Sequence, residues 1–395
     1  MIKIIIATVM TVISIGTSSA VARERWTAAE ASAWYERQPW IVGSNYLPAT
    51  AVNSLEMWQT QTFDPATIDR EFGYAQLMGM NTMRVFLHHL LWEQDPGAFK
   101  SRMTKFLDIA GRHRIKVILV LFDSCFDANP KLGPQPTPPK GVYFPAWVQG
   151  PGRDRLEDKS KYPLLEKYVY DIVHSFADDK RILMWDIWNE PTPHAGPLFP
   201  EEPQGTPKSD LEKRLEEGES KNKAALVELL LPQVFRWAQS AAPSQPLTSA
   251  IFDPTHDWTR DRLTPVERVQ LDQSDVITFH SYSEPQIFER QAAQLKALER
   301  PIICTEFMAR PESTIAGILP VGKRLDIGML NWGFVAGRSQ AWIPGDSWLK
   351  PYRDKAPSIW NQDLLRVDGT SYDPQEIALI EKLSAAPRGV VPKPE

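Results

Sequence analysis

This chain has few cysteines, few histidines and no excess of basic charge, and each shortage closes off a class of function. Two cysteines among 395 residues, Cys125 and Cys304, cannot hold together a disulfide-dense scaffold, nor can they make a zinc site unaided. Seven histidines occur without a His-Glu-x-x-His run, so that zinc-protease signature is missing, and neither a metal nor an organic cofactor is expected. A formal net charge of −5 offers no basic footprint, which argues against nucleic acid and leaves neutral polymers as the easier partners. Beyond the amino terminus no apolar run nears the roughly 18 uncharged residues of a membrane span. No membrane anchor is expected, and no cysteine follows the leader to carry a lipid.

What is present begins with a targeting segment. Lys3 supplies a positive charge, residues 4–15 are almost wholly apolar, and small residues follow at Ser18, Ser19, Ala20 and Ala22. This pattern reads as a signal peptide over 1–22, with the mature chain starting near Arg23 and Ala20 as an alternative cleavage point. The product is then periplasmic or secreted. A hydrophobic content of 43% is enough for a sizeable core, and 23–395 reads as one domain and a monomer. Prolines, 34 in all, cluster at Pro134, Pro136, Pro138 and Pro139, which predicts long, stiff loops.

Short apolar runs alternate with amphipathic stretches at the spacing of βα units. Strands are predicted at 40–43, 81–87, 117–122, 182–188, 246–252, 276–279, 301–305 and 327–335, with helices between them at 98–113, 162–176 and 223–240. Eight such units make a (β/α)8 TIM barrel, an α/β fold whose active sites lie at the carboxyl ends of the strands. The charged stretch 201–221 reads as a solvated loop leading into a first helical turn. In this arrangement Cys125 ends strand 3 and Cys304 lies on strand 7, nearly opposite, so two separate buried thiols are expected.

Residues 185–191, Trp-Asp-Ile-Trp-Asn-Glu-Pro, place Glu190 just past the fourth strand, where Pro191 ends it. A second run, Ile302-Ile303-Cys304-Thr305-Glu306-Phe307, ends a later strand in another single acid. Two carboxylates on strand ends of one barrel are what glycosidic cleavage needs: one protonates the leaving oxygen, the other meets the oxocarbenium-like carbon. The Trp-Asn-Glu-Pro signature with a later Thr-Glu-Phe resembles the retaining glycoside hydrolases of clan A, most closely family 5, in a divergent subgroup. That resemblance implies that Glu190 is the general acid/base and Glu306 the nucleophile, their carboxylates about 5 to 5.5 Å apart.

The remaining candidates surround this pair. Arg84, Phe86 and His88 share one face of strand 2. A charged arginine among apolar neighbours needs a partner, and the resemblance implies that Arg84 hydrogen-bonds the nucleophile. His88 either lines the sugar pocket or caps a helix. On strand 6, His280 and Tyr282 share a face, and the family pattern gives the tyrosine a hydrogen bond to the nucleophile and the histidine a place on the site wall. Asn189 is suited to hold a sugar 2-hydroxyl, and Trp332, near strand 8, lies where clan members stack the innermost sugar ring. One departure stands out. Family members commonly carry a histidine at the end of strand 3, whereas this chain has Asp123-Ser124-Cys125, and either Asp123 or His88 is expected to fill the space. The sequence thus predicts an exported retaining β-glycosidase acting on an oligosaccharide or polysaccharide. The alternative is a catalytically inactive glycan-binding barrel, which would have no need of two acids.

Overall fold

The computed structural model describes residues 23–192, 208–252 and 257–392; the signal peptide expected over 1–22 lies outside them. Eight apolar runs form strands: β1 (Val42–Asn45), β2 (Thr82–Phe86), β3 (Lys116–Val120), β4 (Ile182–Asp186), β5 (Leu247–Thr248), β6 (Ile277–His280), β7 (Ile302–Phe307) and β8 (Gly328–Asn331). All pairings are parallel, in the order β5-β4-β3-β2-β1-β8-β7-β6. A single parallel bridge from Ile251 to Phe279 joins the two ends, giving a nearly closed (β/α)8 barrel with helices between the strands.

The ladders at β5 and β8 are shorter than their apolar runs. After β5 the Ser249 amide turns to the Ser274 hydroxyl, and after β8 Gly333, at φ 85°, bends the backbone away. The predicted helices appear at Pro96–Arg112, Tyr162–Ser175 and Lys223–Ser240. The charged stretch departs from expectation: where it is described it holds a nine-residue helix, Asp210–Gly218, rather than one turn. A Ser209/Glu212 capping box starts this helix, and Leu215 is buried beneath it. Among the described residues no helix is long and apolar enough to cross a membrane.

Three apolar clusters set the architecture. The largest fills the layer between strands and helices. A second closes the barrel floor: Ile118, Met184, Ile303 and Leu330 meet Trp34 and Tyr35 of the helix Ala28–Glu36, which plugs that end. The third lies at the opposite end, where Tyr143, Phe144 and Trp147 of the long segment after β3 pack with Phe86, Ile343 and Trp348. That segment is tied across the mouth. Gly141 donates its N–H to Gln340 Oε1 at 2.7 Å, Tyr143 its N–H to Ser347 Oγ at 3.0 Å, and Trp348 Nε1 donates to the Tyr143 carbonyl at 2.7 Å. Polar strand ends therefore face a small space bounded by aromatic rings.

Candidate active site

Glu190 and Glu306 converge at the carboxyl ends of β4 and β7. The turn that carries Glu190 is braced from three directions: Trp188 donates to Ser124 Oγ, Ser124 Oγ to the Pro191 carbonyl, and Ser249 Oγ to the Trp188 carbonyl. Within that brace Glu190 holds φ 39°. Its Oε1 lies 2.8 Å from His280 Nδ1, and its Oε2 accepts from the Cys125 thiol at 3.3 Å. Glu306 accepts from Arg84 Nη1 on Oε1 and from Tyr282 Oη on Oε2, both at 2.6 Å, with His280 Nδ1 3.5 Å away. Donor atoms of Glu190, His280 and Glu306 all lie within 4.8 Å of one another, well inside the roughly 6.5 Å at which inverting pairs begin.

Arg84 organises the layer beneath. Fully buried, it donates to Asp186 Oδ2 through Nε and Nη2 (3.0 and 2.7 Å), to Asn45 Oδ1 at 2.8 Å and to Asn189 Oδ1 at 2.7 Å, besides Glu306. One guanidinium thus neutralises two buried acids and orients two amides, which offsets the large desolvation cost of that charge. Asn189 passes the order on: its Nδ2 donates to Asp123 Oδ1 at 2.8 Å, and Trp147 Nε1 donates to the other Asp123 oxygen at 2.5 Å.

The candidate residues Arg84, Asn189, Glu190, His280, Tyr282 and Glu306 are therefore joined in one network. Trp332 is half-buried at its edge, in ring contact with Phe86, Phe144 and Trp147. His88 is not joined to it. Its Nε2 lies 2.9 Å from the Gln149 carbonyl, its Nδ1 accepts from the Leu90 amide at the start of the helix His89–Gln94, and its ring stacks on His89. At the end of β3 it is Asp123 and Cys125 that reach Asn189 and Glu190, whereas His88 turns to the Gln149 carbonyl. Both cysteines are free; Cys304 is buried, but Cys125 is partly exposed, because it sits on the site wall rather than inside the core.

Asn45, Asp186 and Cys125 escaped the sequence reading as site members. Asp186 had a signal, since a lone acid after Ile182-Leu183-Met184-Trp185 needs a buried cation as much as Arg84 needs an anion. Asn45 had none.

Burial dominates the electrostatics. It lifts Glu190 to about 7, against the opposing pull of the Cys125 hydrogen bond and the Arg84 charge. Burial also raises Glu306, where His280, Arg84 and Tyr282 counter it and the neighbouring Glu190 charge adds to it. With more donors on Glu306, a single shared proton rests on Glu190. Burial holds His280 down to about 4, so its ring is neutral, and the proton belongs on Nδ1, the nitrogen facing both acids. Among the described residues Glu190, His280 and Glu306 are the one cluster with metal-ligand spacing, but their oxygens already accept from Arg84, Tyr282 and Cys125.

No protein-family model matches the chain, and no curated relative does. Among solved structures it is similar to GH5_18 from Streptomyces cattleya in complex with GlcNAc, at 14% identity and a TM-score of 0.57 over 91% of this chain and 82% of that one. It is similar to a beta-1,4-mannanase from the sea hare Aplysia kurodai, at 18% identity and 0.51 over 75% and 88%. The exo-beta-1,4-mannosidase Op5Man5 from Opitutaceae bacterium strain TAV5 matches at 19% identity and 0.52 over 95% and 62%. At these identities the likeness is one of fold.

Proposed function

We propose that the chain is an exported, monomeric, retaining β-glycosidase of the clan A type, a divergent relative of family 5, working on oligosaccharides or polysaccharides. The observation that carries the reading is the close pair of unequally held carboxylates: Glu306, gripped by Arg84 and Tyr282, and Glu190, mostly buried and within 4.8 Å. In the first step a Glu306 oxygen attacks the anomeric carbon while Glu190 gives its proton to the glycosidic oxygen; the C–O bond breaks and a glycosyl ester forms. In the second, Glu190, now ionised, takes a proton from water, whose oxygen attacks the same carbon and releases Glu306. Asn189 holds one amide hydrogen on Asp123 and directs the other, in a long 3.5 Å contact with the Cys125 sulfur, so that a sugar 2-hydroxyl can take over the second, and Trp332 offers a face to the ring. The neutral polymer and the export leader agree with a periplasmic or secreted site of action.

Proton NMR of the first-formed sugar, with aryl β-glycosides as substrates, tests this. Net retention is expected. An inverted first product would sink the double displacement, and no turnover of any β-glycoside would leave the glycan-binding alternative.

A further inference from the structure

We infer that this chain removes single sugars from non-reducing ends rather than cutting within chains, because four aromatic rings wall off the space a longer glycone would need. The inference rests on the glycosidase reading above. Glu190 protonates the leaving oxygen, so the departing portion lies on its side, near Cys125 and His280. The attacked sugar then lies over Glu306 toward the ends of β1, β2 and β8, where Asn45, Phe86 and Trp332 stand. Any further sugar on the non-reducing side must leave in that direction.

Among the described residues that direction is closed. Phe86, at the end of β2, touches Trp147 and Trp332 with ring centroids 5.2 and 5.4 Å apart. Phe144 touches the same two rings at 5.4 and 5.6 Å, and Trp147 meets Trp332 at 5.9 Å. Edge-to-face rings at these separations are in van der Waals contact, which leaves no gap for a pyranose ring. Two of the four rings come from the segment after β3, tied across the mouth through Gly141 and Tyr143, and Tyr143 Oη adds a bond to Gln362 Oε1 at 3.1 Å.

The test begins with aryl β-glycosides of glucose, mannose and N-acetylglucosamine, then takes the β-1,4-linked tetrasaccharide of whichever sugar is released, carrying 2-aminobenzamide at its reducing end. Chromatography should show the labelled trisaccharide first, then the disaccharide, with free monosaccharide in step. Labelled disaccharide preceding trisaccharide, or unlabelled disaccharide among the first products, overturns the inference while leaving the glycosidase reading intact. Failure on every aryl glycoside and oligosaccharide removes both. Phe144→Ala takes out one ring of the wall, and unlabelled disaccharide should then appear at severalfold its wild-type level; a folded Phe144→Ala enzyme with an unaltered product order would also overturn the inference.

Discussion

Replacing Cys125 by alanine should move the alkaline side of the pH–rate profile upward. The thiol donates to Glu190 Oε2 at 3.3 Å and so favours the ionised carboxylate, whereas burial has lifted that carboxyl to about 7. Proton donation requires the protonated form, so activity falls as pH rises through this value. Hydrogen bonds to charged groups contribute about 1.5–3 kcal/mol, and a thiol is a weak donor, which puts the loss near 1 kcal/mol. At 1.36 kcal/mol per unit, the pKa of Glu190 rises by about 0.7, and turnover on the alkaline shoulder increases about fivefold. Cys125→Ser supplies a stronger donor and should hold the limb at or below its wild-type position. The rest of the network stays held, since Asn189 retains Arg84 and Asp123. The assay is kcat/KM against pH with an aryl glycoside of poor leaving group, for which proton transfer limits the rate. An alkaline limb that stays put or moves down in folded Cys125→Ala refutes the reasoning.

Glu306→Ala should abolish turnover and be partly rescued by azide with an inverted glycosyl azide, whereas Glu190→Ala should still glycosylate from good leaving groups; equal, unrescuable losses would leave the roles unassigned. Arg84→Met strands two buried carboxylates, so calorimetry should show a loss of about 3–5 kcal/mol. If the variant folds, its acidic limb should rise; an unchanged limb would reduce Arg84 to a structural prop. Glu71 accepts from Tyr46 in the outer layer, and burial raises it to about 7. The folded state therefore holds its proton longer than the unfolded one, and the stability it contributes is complete below about pH 4 and lost as pH rises through about 7. Melting temperatures should decline from pH 5 to pH 8 less steeply in Glu71→Gln, and an equal decline would assign the slope to other groups.

The pattern of apolar runs was enough to read the barrel, because each strand is buried on both faces and interrupted by turn chemistry. The acids and their nearest donors were legible for a related reason: a charge within an apolar strand is conspicuous. Cys125 was not, since it opens an irregular segment whose position follows from ties to Gln340 and Ser347, about 200 residues away in sequence. His88 shows the limit of face arithmetic. It alternates correctly with Arg84, but β2 ends at Phe86, and beyond a strand's end the period of two no longer says where a side chain points.

Glu190 sits at φ 39° on a residue with a side chain, in a region that costs of order 1–3 kcal/mol for anything but glycine. Its carboxyl is also kept from water with its proton. Both penalties vanish together on replacement by glycine, which a single base change in a glutamate codon can produce. The inactive protein would then be the more stable one, with Arg84, Tyr282 and the aromatic wall still in place to hold a sugar. On the proposed glycosidase function, selection for turnover has to be continuous to keep the acid there, and a lineage released from it would have a downhill path from enzyme to glycan-binding protein.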